Sequence, residues 1–539
     1  MNLMRKKLPV AQSDFRVLQT EGYLYVDKTN YIYELLTSGR QYYFLARPRR
    51  FGKSLFVSTL DEVLKGNRAL FTDLAIANSD YDWQPHGVIK LDFSLFKIKQ
   101  SDDLNLELSA ALKVISKQYQ LDISFDAHNP AAGLREIVTA LHQKFGRVGI
   151  LIDEYDSPIV SKIQQTAQAT QIRDDLQVFF RNIKGLGALI NFVFMTGVTS
   201  FSKAGLFSGL NNLQILSLES PFGAICGYTE AEVEQNFAPY LATWAAQAQI
   251  SLKQLKTQIK TWYNGYHFGK HTTAVYNPFS LTNAIYQNSL ENYWITSGAP
   301  TFLIDELKQQ YRKTEYRLIE PEKFTLAPSD LGAFDIGAIS LPVLMFQTGY
   351  LTITAYDQAR NIYYLGYPNN EVRTAALQYL LTVFTDSESV AIRSTATQLW
   401  DAWNDRDLDT ALMLLQTLFA KIPYAHHIKL EKFYHSLFQM ICNTAGIETI
   451  AEQATSHGSI DSVMKFPKVL YVVELKFNSS AAAALAQIKS KRYYEQFLDQ
   501  QKPIVLLGLN FEKTAGHFAL TFATEQLTGF AQKSDLNVT

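Results

Sequence analysis

The 539-residue sequence lacks the features that define several protein classes. It has two cysteines, Cys226 and Cys442, which are far apart and show no metal-ligand spacing. This argues against a disulfide framework and a cysteine metal site, and a reducing cytoplasm is the expected compartment. No run of about 18 apolar residues is present, so we expect no membrane span. The basic segment 1–7 is not followed by an apolar segment, so we expect no signal peptide.

An excess of charge of one sign is also absent. The 50 Lys and Arg residues balance 51 Asp and Glu residues, and the formal net charge is −1. No overall field therefore attracts the chain to nucleic acid or to a membrane. Hydrophobic residues make up 47% and charged residues 19% of the sequence, which is typical of folded proteins. The length predicts about three or four domains.

The most informative segment of the chain is FLARPRRFGKS at 44–54. Its apolar beginning predicts a strand over 42–45, and Gly-Lys-Ser at its end is typical of a loop that binds nucleotide phosphates. In such a loop the Lys53 ammonium neutralises the β and γ phosphates, and the Ser54 hydroxyl ligates Mg²⁺. Gly52 is the expected hinge. The usual pattern has a glycine five residues before Gly52, but Arg47 occupies that place.

A second segment carries carboxylates suited to the same chemistry. The apolar run 149–152 predicts a buried strand, and Asp153 and Glu154 follow it directly. Asp153 would hold Mg²⁺, and Glu154 would orient or deprotonate the attacking water. Thr196 follows another predicted strand at 191–195 and is either a γ-phosphate sensor or the cap of a turn. An ordinary strand-turn-helix with an exposed lysine is the alternative, but it leaves the Asp-Glu pair unexplained.

The pattern of strands and helices predicts the fold class. Apolar strands, including one at 88–93, alternate with helical stretches from residue 42 to about 220, which indicates an α/β domain with a parallel sheet covered by helices. The layout resembles that of a P-loop NTPase of the ASCE, AAA-like branch. A helical, lid-like region and a small α+β region, with 346–353 in a strand pair, are expected to follow. The predicted domains are 1–228, 229–330, 331–404 and 405–539.

A second group of chemically active residues lies near the C-terminus. The segment 468–477 predicts a strand on which Glu474 and Lys476 point to the same face, because side chains alternate along a strand. Asp461 is predicted to end a neighbouring strand and to face the same spot. Two carboxylates can bind Mg²⁺, and the metal with a lysine can activate water against a phosphodiester. The alternative for Glu474 and Lys476 is a solvated salt bridge on an edge strand.

Residues around this strand add further candidates. Basic and aromatic residues at 487–494 predict a helix that contacts a phosphate backbone. Glu431 and His435 stand one turn apart on a predicted amphipathic helix. Glu431 is either a further metal ligand or a surface residue, and the pair His426-His427 is expected in a loop.

Segments spread over nearly the whole chain form a characteristic set. They are YVDKT at 25–29, RPRRFGKSL at 47–55, DEYD at 153–156, FSGLNN at 207–212, YNGY at 263–266, YNPFS at 276–280, QTGYLT at 347–352, PNNEVR at 368–373 and the Asp461, Glu474 and Lys476 array. Together they resemble a known family, the bacterial and archaeal AAA-ATPase-like proteins with a C-terminal nuclease domain of the PD-(D/E)xK fold. In this family the phosphate loop itself begins with arginine.

The resemblance implies an ATP site and a nuclease site, each with Mg²⁺. In the restriction-endonuclease-like α/β domain, Asp461 and Glu474 would be the metal ligands, with Mn²⁺ as an alternative ion, Lys476 would be catalytic, and Gln487 would support them. The family usually has Gly-Arg before the first nuclease aspartate, whereas this chain has Gly458-Ser459. The nucleotide-binding residues that it implies are Arg47, Arg49, Arg50, Phe51, Gly52, Lys53, Ser54, Leu55, Asp153 and Thr196.

These observations give a leading hypothesis and two alternatives. The leading hypothesis is a cytoplasmic, ATP-binding and ATP-hydrolysing protein that gates a Mg²⁺-dependent nuclease acting on DNA, with defence against foreign DNA as a role by analogy. One alternative is a nucleotide-switched protein that binds nucleic acid or protein through an inactive nuclease fold. The other is an ATPase with a purely structural C-terminal domain. A further arginine is expected to complete the ATP site. It would come either from a neighbouring subunit of a homo-oligomer, or from Arg49 or Arg50 of the same chain.

Overall fold

The computed structural model divides into two compact units, residues 1–303 with 321–373, and residues 304–320 with 374–539. The boundaries of the four domains drawn from the sequence stay a prediction. In the described part of the chain, no helix is long and apolar enough to cross a membrane. The structure describes residues 5–100, 102–124, 126–201, 206–207, 210, 212–296, 324–331, 336–337, 340–385, 389–420, 431–455, 458–498, 502–514 and 517–527.

The first unit is built on a five-stranded parallel sheet. Its strands are β1 (Tyr42–Ala46), β2 (Val88–Asp92), β3 (Val148–Asp153), β4 (Ile190–Gly197) and β5 (Gln214–Ile215). The order across the sheet is β2-β3-β4-β1-β5. The four strands predicted from the sequence and the parallel sheet are therefore confirmed, and β4 lies between the strand that enters the phosphate loop and the strand that ends in Asp153.

Seven helices accompany this sheet in the described residues. Every residue of β1 and β3 is buried, as is typical of a parallel sheet covered by helices. The residues of both strands are accordingly apolar almost throughout. The helices are α1 (Phe15–Thr20), α2 (Thr29–Thr37), α3 (Lys53–Leu64), α4 (Asp103–Gln118), α5 (Pro130–Phe145), α6 (Ser157–Val160) and α7 (Thr166–Gly185).

The predicted helical middle region is confirmed, and it packs in an apolar cluster in which Phe237, Leu241 and Ile259 meet Leu24 and Val26. Its first helix begins with a capping box in which Thr229 and Glu232 satisfy each other's backbone N–H groups. The elements are the short strands β6 (Tyr228–Thr229) and β7 (Val275–Tyr276) and the helices α8 (Glu230–Gln247), α9 (Leu252–Tyr263), α10 (Pro278–Gln287) and α11 (Tyr293–Thr296).

The predicted strand at 346–353 was wrong in its first half. Helix α13 (Leu341–Thr348) covers that stretch, and it ends at Gly349, which has the left-handed φ of +93°. A short, fully buried apolar run has no periodicity that separates helix from strand, and Pro342 favours a helix start. The neighbouring elements are β8 (Thr325–Leu326), α12 (Pro328–Leu331), β9 (Thr352–Asp357), β10 (Ile362–Gly366) and α14 (Asn370–Thr385).

The second unit contains a five-stranded mixed sheet whose strands follow chain order. Its middle strand, β13 (Leu470–Phe477), pairs in parallel with β14 (Ile504–Thr514), and α18 (Ala481–Ser490) connects the two. Ile460, Val472 and Ile488 belong to the core between this helix and the sheet. The remaining elements are α15 (Ser389–Asn404), α16 (Leu408–Ala420), α17 (Glu431–Thr444), β11 (Glu448–Thr455), β12 (Gly458–Lys465) and β15 (His517–Leu527).

Candidate functional sites

The loop between β1 and α3 has a shape that suits an anion. Gly52 has a φ of +92°, a left-handed conformation that glycine adopts without strain. A Cβ atom at this position would meet nothing within 4 Å. Helix α3 begins at Lys53 and is 12 residues long, so its first backbone N–H groups and its positive dipole end lie at the loop.

Lys53 connects the phosphate loop with the Asp-Glu turn after β3, two motifs that are far apart in the sequence. Its side chain is buried, and its ammonium donates to the carbonyls of Arg47 and Pro48 at 3.1 and 3.2 Å. It also forms an ion pair with Glu154 Oε1 at 3.1 Å. The loop lysine and the Asp-Glu turn therefore share one location at the carboxyl edge of the sheet, where ligands of open α/β sheets bind.

Asp153, the last residue of β3, lies beside Ser54. Burial raises the pKa of Asp153 to about 6, and a hydrogen bond from the Ser54 side chain acts in the opposite direction. A hydroxyl and a carboxylate next to each other are oxygen ligands of the kind that Mg²⁺ prefers. These residues fit the metal predicted at this place. Glu154 follows with the left-handed φ of +50°, which is uncommon for a residue with a side chain.

The exit of β4 is fixed to the turn that carries Glu154. Asp156 accepts hydrogen bonds from the Thr199 N–H at 2.7 Å and from the Thr199 hydroxyl at 2.6 Å. Thr196 lies on β4, three residues before Thr199. It is fully buried, and its hydroxyl has no hydrogen-bond partner among the described residues. The Thr196 hydroxyl therefore caps no turn there and is available for a polar ligand.

Arg47 and Phe51, two of the residues implied to bind nucleotide, have side chains that make contacts within the protein. The Arg47 guanidinium donates to the carbonyls of Ala46, Ser217 and Phe222 at 2.8 to 2.9 Å, and it lies 4.1 Å from the centre of the Phe268 ring. Phe51 packs edge-on against the same ring at 5.3 Å. Both side chains hold the loop to the rest of the unit, and their role as nucleotide ligands stays a prediction.

The other loop residues remain closer to solvent. Arg49 and Arg50 are exposed, and the Arg50 guanidinium lies 4.8 Å from the centre of the Phe279 ring. Leu55 is half-buried in the first turn of α3. Because both arginines are exposed, their positions are compatible with the prediction that one of them completes the ATP site from within the chain.

In the second unit, strands β12 and β13 separate at the residues predicted to bind metal. Their pairing stops at Ser462 with Val473, so Asp461 and Glu474 are the next opposite residues. The Asp461 carboxylate accepts the hydrogen bond of the Leu475 N–H at 2.8 Å in place of a ladder partner. The predicted strand end at Asp461 was wrong, because the strand runs from Gly458 to Lys465 and stays paired with β11.

Glu474 is the centre of this second group. It is buried on the middle strand of the sheet, and its Oε1 accepts from the Lys476 ammonium at 3.3 Å and from the Gln487 amide. The alternative of an edge-strand salt bridge is contradicted by this central position. A charged pair buried there requires a compensating role, since burial of ions is costly.

His435 also belongs to this site, although the sequence indicated only that it lies one helical turn from Glu431. Its Nε2 lies 3.5 Å from Asp461 Oδ2 and 3.3 Å from the Leu475 carbonyl oxygen. The imidazole on α17 and the carboxylate on β12 are therefore close in space, although they are 26 residues apart in the sequence. The side chains of Glu431 and Ser459, and the residues Ser208, Gly209, Asn211, His426 and His427, lie outside the described part of the structure.

The predicted phosphate-contacting helix at 487–494 was wrong in its second half. Helix α18 ends at Ser490, and Tyr493 is buried in the core. Lys489 forms an ion pair with Glu525 at 2.7 Å, and Arg492 pairs with Glu495. The left-handed φ of +52° at Arg492 turns the chain away from the helix axis.

Within the ranges that the structure describes, no three His, Cys, Asp or Glu side chains are grouped closely enough to hold a metal by themselves. Mg²⁺ usually keeps several waters and takes one or two carboxylates together with phosphate oxygens of a substrate. Asp461 and Glu474 fit a metal site of that kind, which substrate and water would complete.

Comparison with protein families assigns a class to these two units. Residues 9–207 match a family described as predicted AAA-ATPase, and residues 429–518 match the PD-(D/E)XK nuclease superfamily. The chain belongs to the AAA-ATPase-like family with a C-terminal PD-(D/E)XK nuclease domain, which confirms the resemblance and the α/β fold class. It therefore contains an ATPase-like domain and a nuclease-like domain.

The chain is also similar to one sequence relative and, more distantly, to two solved structures. An uncharacterized protein in the vnfD 5′ region of Azotobacter chroococcum mcd 1 is 36% identical over 525 residues, which is 95% of this chain and 97% of the relative. Among solved structures, Orc1 of Aeropyrum pernix in complex with DNA matches 65% of this chain and 91% of its own, with 10% identity and a TM-score of 0.24. Cdc6p of Pyrobaculum aerophilum matches 72% and 97%, with 9% identity and a TM-score of 0.24.

Proposed function

We propose that the chain binds and hydrolyses ATP with Mg²⁺ at the phosphate loop, that it cleaves DNA with Mg²⁺ or Mn²⁺ at the Glu474 site, and that the first activity controls the second. The observation that carries the proposal is the meeting of Lys53 and Ser54 with Glu154 and Asp153 at one sheet edge. In the second unit, Lys476 and Gln487 contact Glu474, and the Asp461 carboxylate binds the adjacent Leu475 N–H.

Each residue of the ATP site has a task that follows from its position. Lys53 exchanges the carbonyls of Arg47 and Pro48 for phosphate oxygens, and Glu154 accepts a proton from the attacking water. The buried Thr196 hydroxyl donates to the γ phosphate. Bound Mg²⁺, held by Ser54 and Asp153, would neutralise charge on the phosphates.

In the nuclease site, Asp461 and Glu474 would hold the metal, which would lower the pKa of a water molecule and stabilise charge on the scissile phosphate. Lys476, 3.3 Å from Glu474, orients that water or the phosphate. Gln487 keeps the Glu474 carboxylate in place, as residues behind a metal ligand commonly do.

The test separates the two activities by substitution in the full-length chain. Lys53→Ala is expected to lose ATP binding, and Glu154→Gln to keep binding but to lose hydrolysis by about 100-fold or more. Lys476→Ala is expected to lose cleavage of DNA, whereas Lys468→Ala, which removes a surface ion pair with Asp405 in the same unit, serves as the control. A folded wild-type protein that cuts neither DNA nor RNA with Mg²⁺ or Mn²⁺, with or without ATP, would contradict the nuclease assignment.

A second candidate is a nucleotide-switched binding protein with an inactive nuclease fold. It is favoured by Ser459 in place of the family arginine and by the pairing of Lys489 and Arg492 with carboxylates, which reduces free positive charge for phosphate contact. This candidate predicts that Glu474→Ala keeps nucleic-acid binding and biological activity, and that Lys53→Ala abolishes both.

A further inference from the structure

The outer part of the phosphate loop is held by a tryptophan from the middle region. The indole N–H of Trp294 donates to the carbonyl oxygen of Arg49 at 3.2 Å. Trp294 is buried, although the Arg49 side chain is exposed. The contact is made to the main chain of the loop, so it fixes the path of the loop and not the orientation of an arginine.

Gly349 allows this approach. A Cβ atom at Gly349 would lie 2.7 Å from Pro48 Cβ and 3.2 Å from Trp294 Cζ2, both tighter than ordinary contact distances. Gly349 also has a φ of +93°, so its backbone and its surroundings both require glycine. Gly349, the last residue of the Gln-Thr-Gly segment, thus packs against the loop residue Pro48 and against the tryptophan that holds the loop.

Trp294 is itself held by a buried carboxylate. Its backbone N–H donates to Glu371 Oε1 at 2.8 Å. Glu371 is fully buried in the first turn of α14, and burial raises its pKa to about 7. Burying a carboxyl group costs free energy. The hydrogen bond that holds Trp294 accounts for a carboxyl group at this buried position.

We propose that Trp294 is a positioning residue for nucleotide binding and that Glu371 keeps it in place. The proposal rests on the proposed ATP site at Lys53. Phosphates are bound by backbone N–H groups whose directions follow the path of the loop. When the Arg49 carbonyl is anchored, less ordering of the loop remains to be done on binding, and affinity is higher for that reason.

The experiment compares ATP affinity in four full-length variants by titration with a fluorescent ATP analogue and Mg²⁺. Trp294→Phe keeps an aromatic ring but loses the donor, and Glu371→Leu loses the acceptor. Both are expected to weaken binding about five- to tenfold, the value of one hydrogen bond to a positioned group. Glu371→Gln keeps an acceptor oxygen and is expected to restore wild-type affinity within about twofold. Trp262→Phe, a partly buried tryptophan on α9, is the control.

A second readout uses the wild-type protein itself. ATP is expected to change the intrinsic tryptophan emission, and this change is expected to be absent in Trp294→Phe and present in Trp262→Phe. Melting temperatures of all variants separate loss of fold from loss of affinity. Unchanged affinity in Trp294→Phe and Glu371→Leu, or an emission change that persists in Trp294→Phe, would overturn this proposal and leave the ATP site standing. Absence of any ATP binding in the wild type would overturn both.

Discussion

Arg47 occupies the position where a phosphate loop usually has glycine, and its guanidinium is enclosed by three backbone carbonyls and the Phe268 ring. Burial lowers the pKa of Arg47 to about 10, so the group keeps its charge at neutral pH. A planar group with several fixed donors matches this arrangement better than the ammonium of a lysine does. At this position the arginine joins the start of the loop to the segment after β5.

Arg47→Met is expected to lower the free energy of unfolding by about 2 to 4 kcal/mol, because three buried carbonyls lose their donors. The measurement is urea unfolding at neutral pH. Arg49→Met, at an exposed neighbour, is the control and is expected to change stability by less than about 0.5 kcal/mol. Equal stability of the two variants would show that the Arg47 contacts contribute little.

Glu371→Gln is expected to make stability less dependent on pH. In the wild type the raised pKa of about 7 means that the buried carboxylate costs stability above pH 7, and that this cost disappears as the pH falls toward 4.5. The variant should therefore be more stable by roughly 2 to 3 kcal/mol at pH 8 and about equal to the wild type near pH 4.5. Thermal unfolding across this range checks the sign, and a constant difference would contradict it.

At the scale of elements, the exit of β4 and the turn after β3 act together because Asp156 connects them. Gly197 contributes to this contact, since a Cβ there would lie 2.4 Å from Asp156 Oδ1. The two strand ends carry Thr196 and Glu154, the two groups assigned to the γ phosphate and the water. Their relative position therefore depends on Asp156, a residue that is assigned neither to the phosphate nor to the water.

Asp156→Ala is expected to reduce kcat for ATP hydrolysis about tenfold or more while KM for ATP changes less, because the phosphate loop itself is left intact. Steady-state kinetics give both values. Asp174→Ala, on α7 in a surface pair with Arg173, is the control. A rise in KM with unchanged kcat would place the effect of Asp156 in nucleotide binding instead.

In the second unit, Gln487→Ala is expected to weaken metal binding about 10- to 100-fold, because Glu474 loses the amide that orients it. Titration of Mn²⁺ into the variant and the wild type, followed by calorimetry, measures this. Lys489→Ala, on the same helix, controls for surface effects. Equal affinities would mean that the Lys476 contact alone suffices to orient the carboxylate.

Across the whole molecule, the features that the sequence predicted correctly are those that depend on residues close together in the chain. The strands before Gly52 and Asp153, and the shared face of Glu474 and Lys476, follow from apolar runs and from the two-residue repeat of a strand. The contact between Trp294 and Arg49 joins residues 245 positions apart, and no local pattern indicates it. For the same reason the buried guanidinium of Arg47 and the meeting of His435 with Asp461 became visible only in the folded chain.

We propose that one chain joins an ATP site to a nuclease site and that the first controls the second. The rate of DNA cleavage with Mg²⁺ as a function of ATP concentration, in the wild type, Lys53→Ala and Lys476→Ala, measures this coupling. We expect cleavage that changes with ATP in the wild type, no response to ATP in Lys53→Ala, and no cleavage in Lys476→Ala. A wild-type cleavage rate that is the same at every ATP concentration would rule out the coupling, and cleavage that survives in Lys476→Ala would rule out the nuclease site.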